Sequence, residues 1–464
     1  MLRLPIHSAL LFGSTVGYCR CLKYLIELLP INDWKDTICR TMEYQIHTLK
    51  NGLRIVLAPM RDTKTATVMV MTGTGSRYED ERENGLAHFL EHMFFKGTKK
   101  RPNAKAISEE LDGIGSVYNA FTAKERTAYY AKVSSQYVDT ALDVISDIFL
   151  NSTLPAKEIT KERGAIIQEI DMYEDMPMRT VDDVFDALIF GREHSLGRTV
   201  LGPKENIRTF TRKDFAAYLK RNYTPVNTVV CVSGSFAEKK VLAKITKEFG
   251  GVTHGNPPNF ITFSSAQDAP RVAIKEKKTD QTQLILGVPA YPYLHKDEFA
   301  LAVLGTILGG GMSSRLFLEV REKRGLAYSV HAWIERYPDT GYLAVQAGVE
   351  HGKLEKTVST VLAEFRKIKR EKVSAAELTK AKEFMKGTMT LALETSDAIA
   401  GHAASTLINI GRVRPLDEIL KGIEGATASD VQRVARDLLK TNFLNLAIIG
   451  PHLHKEKLQS LMRV

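Results

Sequence analysis

The chain has 464 residues, 44% of them apolar and 25% charged, with 64 Lys and Arg against 54 Asp and Glu. That balance excludes disordered, collagen-like and disulfide-scaffold classes, and no run reaches the roughly 18 uninterrupted apolar residues that a bilayer-spanning helix needs. The net charge of +10 is dispersed in short runs such as Lys99-Lys100-Arg101, so it reads as a solvated face and no nucleic-acid partner is expected.

Residues 1–41 hold Cys19, Cys21 and Cys39, three of the four cysteines, and carry Arg3, Arg20 and Lys23 with no acid before residue 25. They read as a leader or targeting segment, or as sequence ahead of an alternative start at Met42, and stand outside the fold prediction. With Cys231 alone in the remainder, the fold needs no disulfide and fits a reducing compartment. From Tyr44 the alternation through Leu49, the Asn51-Gly52 turn and Arg54–Leu57 predict a β-hairpin. Ala66–Met71 follows as a strand, 84–96 and 104–113 as helices, and 117–133 as strands. Helices are expected at about 135–150 and 156–174, a strand at Thr228–Val232 and a helix at 237–249. The Gly-, Pro- and Ser-rich stretch 251–268 reads as a linker.

Beyond the linker the programme repeats: strand Gln283–Val288, a helix near 296–308, strands at 326–336 and 341–348, then helices at 352–370 and 374–395. Ala156-Lys157-Glu158-Ile159-Thr160-Lys161 is echoed by Ala375-Ala376-Glu377-Leu378-Thr379-Lys380 at an offset of 219. The prediction is an α+β protein of two homologous domains, 42–250 and 269–464, each a mainly antiparallel sheet with helices packed on one face.

The sharpest local feature is His88-Phe89-Leu90-Glu91-His92. Residues four apart share a helix face, so both imidazoles can reach one ion, and Glu91 stands beside them as a candidate proton acceptor. Such a pattern needs a distal carboxylate. The predicted helix 156–174 offers Glu162 and Glu169, two turns apart on one face, with Ala165, Ile166, Ile167 and Ile170 as an opposite, core-facing stripe. Taken alone, two acids on a helix face are as readily a solvated surface.

These residues carry a resemblance to the pitrilysin family of zinc metallopeptidases, half-size type, from about residue 45 to the end. It runs through Gly75-Ser76-Arg77-Tyr78-Glu79, Gly85–Met93, Asn119-Ala120-Phe121-Thr122, Glu162–Glu169 and Leu196-Gly197-Arg198. In the second half it runs through Gly309–Leu316 and Arg321–Tyr328. Ser195 departs from it, standing where many relatives have Pro. The resemblance implies one zinc per chain held by His88, His92 and Glu169, the last lying 77 residues after His92 at the family's spacing. It implies Glu91 as the base and Glu162 as an acid supporting a ligand from behind. It also implies Arg321 and Tyr328 as oxyanion donors, with Arg324 competing for the Arg role, and Asn119 and Ala120 as part of an edge along which peptide substrates bind.

At the offset of 219, Glu162 and Glu169 fall on Ala381 and Thr388, and no second H-x-x-E-H occurs, so the second half is expected to lack a metal site. A chain holding both the zinc motif and the Arg/Tyr pair is expected to work as a homodimer, in the cytoplasm, on peptides or unfolded polypeptides. Two alternatives stand beside this. One is a subunit of a heterodimeric processing peptidase in the mitochondrial matrix, if residues 1–41 are a transit peptide. The other is a non-catalytic structural subunit. Gly309-Gly310-Gly311 lacks the Gly-Lys-Ser/Thr of a phosphate loop and reads as a flexible turn, and Cys231 as core.

Overall fold

Gly52 adopts φ +86° in the Asn51-Gly52 turn, and the hairpin it closes pairs β1 (Gln45–Thr48) antiparallel with β2 (Arg54–Pro59). The computed structural model describes residues 44–253, 255–256 and 258–464. The leader reading of residues 1–41 falls outside them.

β3 (Thr65–Thr72), β4 (Val117–Thr122), β5 (Thr127–Ser134) and β6 (Thr228–Gly234) complete a six-stranded sheet in the order β1-β2-β6-β3-β5-β4. A second sheet of β7 (Arg271–Glu276), β8 (Thr282–Ala290), β9 (Ala327–Arg336), β10 (Gly341–Val349) and β11 (Asn445–Gly450) has the order β7-β11-β8-β10-β9. Matching β2 to β7, β6 to β11, β3 to β8, β5 to β10 and β4 to β9 makes the two orders the same, with β1 extra. In each, one pair is parallel (β2–β6, β7–β11) and the rest antiparallel. The α+β class and the repeat are as expected from the sequence.

Helices α1 (Leu86–Phe94), α2 (Val138–Asn151) and α3 (Ala156–Glu174) lie on one side of the first sheet. Their apolar faces (Leu90, Phe94, Leu142, Ile145, Ile166) bury against Val68, Val70 and Tyr129. Two further helices change the plan of helices on one face only. α4 (Pro177–Phe190), in a stretch the sequence reading left unassigned, crosses to the second sheet, where Val181, Phe185 and Ile189 bury against Ile285, Tyr342, Ala344 and Ile449.

In the second half, α5 (Glu298–Gly309), α6 (Leu354–Arg370) and α7 (Ala375–Ala392) belong to their own sheet, whereas α8 (Ser396–Ile410) covers the first. There Ala400, Ala403, Ala404 and Leu407 pack on Val56, Met69, Met71 and Cys231. α4 and α8 occupy equivalent positions in the repeat, so each half lends the other one helix and Met42–Val464 forms a single compact unit. Burial on both faces explains why β6 is buried at every position and reads as a continuous apolar run. Buried Cys231 within it has its thiol pushed up to about 12 by desolvation, as suits a core residue.

The described residues of the connection 251–268 form no helix or strand. It is nevertheless anchored: the Phe263 amide donates to Asp339 Oδ2 at 2.7 Å, and the Phe260 ring lies 3.9 Å from the Arg77 guanidinium carbon. Gly309 is more than a flexible turn. A Cβ there would lie 2.4 Å from the Ala332 amide nitrogen, so the end of α5 approaches β9 as only glycine allows.

Candidate metal centre

α1 starts at Gly85, in the left-handed region at φ +101°, with no side chain capping it locally. The cap comes from Glu79, whose Oε2 accepts the Gly85 amide at 2.9 Å and whose Oε1 accepts the Ala87 amide at 2.6 Å. Burial pushes the Glu79 carboxyl up to about 7 in spite of these bonds. The sequence reading quoted Glu79 only as part of a motif. Its role depends on a fold-back that spacing does not reveal.

One turn into α1, His88 and His92 stand on the same face with ring centroids 4.8 Å apart. Glu169, from the facing helix α3, places Oε2 3.6 Å from both His88 Nε2 and His92 Nε2. One donor atom from each of the three lies within 4.8 Å of the others, the one such group of His, Cys, Asp and Glu among the described residues. Two imidazoles and a carboxylate suit zinc, with room left for water or substrate. Burial, and then the neighbouring His92, pulls His88 down to about 3, so its imidazole is neutral with a lone pair to offer.

His92 is built differently. Its Nδ1 meets Glu162 Oε1 at 2.9 Å, and Lys96 Nζ meets Glu162 Oε2 at 2.6 Å. Burial opposes charge on His92, but the hydrogen bond to Glu162 and the charges of Glu91, Glu169 and Glu162 outweigh it and raise its proton affinity. Burial likewise works against ionised Glu162, but bonds to His92 and Lys96 hold it down at about 2. A carboxylate on the far nitrogen of a ligating histidine orients the ring toward a metal. Glu162 stands behind His92, on the far side of the ring from Glu169, and is not on a solvated face. It lies in the buried row Ile159, Glu162, Ile166, Ile170, whereas Ala165 is exposed. That row faces α1, where His92 and Lys96 provide the partners that make burying the charge tolerable.

Glu91 Oε2 accepts the Thr122 hydroxyl at 2.6 Å, and burial raises its proton affinity. Thr122 ends β4, the edge strand that also carries Asn119 and Ala120. The Ala120 amide there points away from β5 and is met by the Asn119 side chain at 2.9 Å. Neither Thr122 nor Lys96 was given a role from sequence. Lys96, four positions after His92, could have been found from that spacing.

Arg321 lies in a short π-helical segment, Phe317–Glu322, and Tyr328 is the second residue of β9, the edge strand of the second sheet. The Arg321 guanidinium carbon lies 4.8 Å from the ring centres of both Phe317 and Tyr328. Arg324 is instead tied to Glu319. Among the described residues, no hydrogen bond, ion pair or ring contact links Arg321 or Tyr328 to the His88–His92–Glu169 group. Tyr328 is 78% exposed.

Two family models match the chain. That described as Insulinase (Peptidase family M16) covers residues 54–204, and that described as Peptidase M16 inactive domain covers residues 209–385. An uncharacterized zinc protease of Bacillus subtilis is 36% identical over 411 residues, 87% of this chain and 98% of its own. The chain belongs to peptidase family M16, the pitrilysin family. A second member, an uncharacterized zinc protease of Mycobacterium leprae, is 34% identical over 92% of this chain and 95% of its own. The crystal structure of a Helicobacter pylori protease superposes with a TM-score of 0.82 at 26% identity, covering 89% of this chain and 100% of that one. The first model covers the His88–His92–Glu169 group, and the inactive-domain model begins within the first half and runs into the second as far as residue 385. No helix among the described residues is long and apolar enough to cross a membrane.

Proposed function

We propose that this chain is a zinc-dependent endopeptidase that acts, as a homodimer in the cytoplasm, on peptides or unfolded polypeptides. The observation that carries the reading is the convergence of His88, His92 and Glu169 beside Glu91. These three ligands would hold one zinc per chain, and their relatives' description as zinc proteases supports the choice of metal. Bound there, zinc would supply Lewis acidity, acidifying water and polarising a peptide carbonyl.

The chain's own residues do the rest. Thr122 holds one oxygen of Glu91, leaving Oε1 to take a proton and return it to the departing amine. Burial favours the protonated carboxyl, which suits a group that must hold a proton during the reaction. The free edge of β4 offers main-chain hydrogen bonds to an extended peptide, which would displace the Asn119 side chain from the Ala120 amide. Such binding reads backbone more than side chains. Arg321 and Tyr328 offer a guanidinium and a phenol to developing oxyanion charge. Because they touch nothing of their own chain's metal group, we assign them to the metal site of a second copy.

Metal analysis of the purified chain tests the reading. One zinc per wild-type chain, with loss in Glu169→Gln, is expected; equal zinc in both proteins would remove Glu169 from the ligand set.

A further inference from the structure

Glu162 and Glu169 lie on one face of α3, and both reach His92, on opposite ring nitrogens. Either carboxylate could in principle turn to the metal, so something must decide which one does. We propose that Lys96 is the positioning residue that makes this choice. By holding Glu162 Oε2 it keeps that carboxylate behind His92 and leaves Glu169 as the ligand.

The geometry is specific. Lys96 follows His92 by four positions, just past the last turn of α1, so its side chain runs along the ligand-bearing face. Its ammonium reaches Glu162 Oε2 at 2.6 Å while Glu162 Oε1 meets His92 Nδ1 at 2.9 Å. Each oxygen of Glu162 is thereby occupied by a different partner, and neither is free to swing toward His88. An ionised Glu162 can only accept, so Nδ1 donates to it and Nε2 is the nitrogen left facing Glu169.

Charge points the same way. Three carboxylates, Glu91, Glu162 and Glu169, surround the two imidazoles. With all three ionised, a bound divalent cation would balance two of those charges and Lys96 the third. The pair is well placed for this, since the side chains of Glu162 and Lys96 are only 9% and 21% exposed. Solvent therefore screens their attraction poorly.

This inference rests on the zinc reading, and its test separates the two. The metal-free chain is titrated with zinc against a chelating dye for wild type, Lys96→Met, Lys96→Arg, Glu162→Gln and the double variant Lys96→Met/Glu162→Gln. Loss of Lys96 should loosen zinc about 10–100-fold, the range for groups that orient a metal ligand, and Lys96→Arg should restore it to within about threefold. With Glu162 already neutral, Lys96→Met should add almost nothing. A metal-free midpoint near that of wild type will show that Lys96→Met folds, and Lys96→Gln provides a second uncharged variant. If Lys96→Met and Lys96→Gln bind zinc as tightly as wild type, or if the two losses simply multiply, Lys96 does not act through Glu162. A wild-type chain that takes up no zinc overturns the zinc reading itself.

Discussion

Asp339→Ala should destabilise the folded chain by about 3 kcal/mol, because it strips a buried guanidinium of one of its two acids. Arg77 is 1% exposed. It gives Nη1 to Glu125 at 2.7 Å and Nη2 to both oxygens of Asp339 at 2.6 Å, so it joins the two halves. Breaking a buried pair from one side costs about 3–5 kcal/mol, and the low end applies because Glu125 remains. The Phe263 amide loses its acceptor in the same substitution. With an unfolding entropy near 2 cal/mol/K per residue, a unit of roughly 420 residues loses about 3–4 °C of thermal midpoint. Calorimetry at fixed pH reads this directly. Asp339→Asn, which keeps an acceptor for both donors, should lose about half as much. A drop below about 1 °C for Asp339→Ala would refute the idea that Arg77 ties the halves together.

Three other outcomes follow from the same structure. Burial first, in each case, pushes Glu79, Glu125, Asp182 and Glu335 up to about 7. Between roughly pH 4.5 and 7 the folded chain therefore keeps protons that the unfolded chain has released, and stability falls as pH rises through that window. His88, held near 3, and His194 and His331, both pulled down by burial, oppose this, but three groups over a narrower window do not outweigh four acids. Metal-free protein should melt higher at about pH 5.5 than at about pH 8, and the reverse order would contradict the burial of these acids. Thr122→Val should lower kcat roughly 10-fold with zinc content unchanged and Thr122→Ser should recover it, whereas equal kcat in all three would show that Glu91 needs no tether. Mixing inactive Glu91→Gln chains with inactive Arg321→Ala chains should restore about a quarter of wild-type activity, since half the dimers then hold one complete site. No recovery on mixing would place Arg321 and Tyr328 at their own chain's metal.

The meeting of His88, His92 and Glu169 was legible in the sequence because its pieces obey local rules. His88 and His92 share a face by helical spacing, and Glu169 was found from the spacing of a resemblance. What escaped was chemistry made by distant segments meeting. Glu79 caps α1 from before a loop, and Thr122 reaches Glu91 from the end of a strand. Periodicity alone left Glu162 as readily solvated as buried, because it cannot tell a buried acid with partners from a solvated one; only the resemblance placed it behind a ligand. The exchange of α4 and α8 escaped for a similar reason. An apolar helix face states that it is buried but not against which sheet. Only the continuous apolar run Val229–Val232 in β6 hinted that both faces of the first sheet are covered.

The most direct test of the central claim is hydrolysis of a quenched fluorescent peptide by zinc-loaded wild type and Glu91→Gln. The account predicts that wild type cleaves and that Glu91→Gln keeps its zinc while losing at least about 100-fold in kcat. Zinc-loaded Glu91→Gln that cleaves as fast as wild type, or a wild-type chain that holds zinc and cleaves nothing, would contradict it.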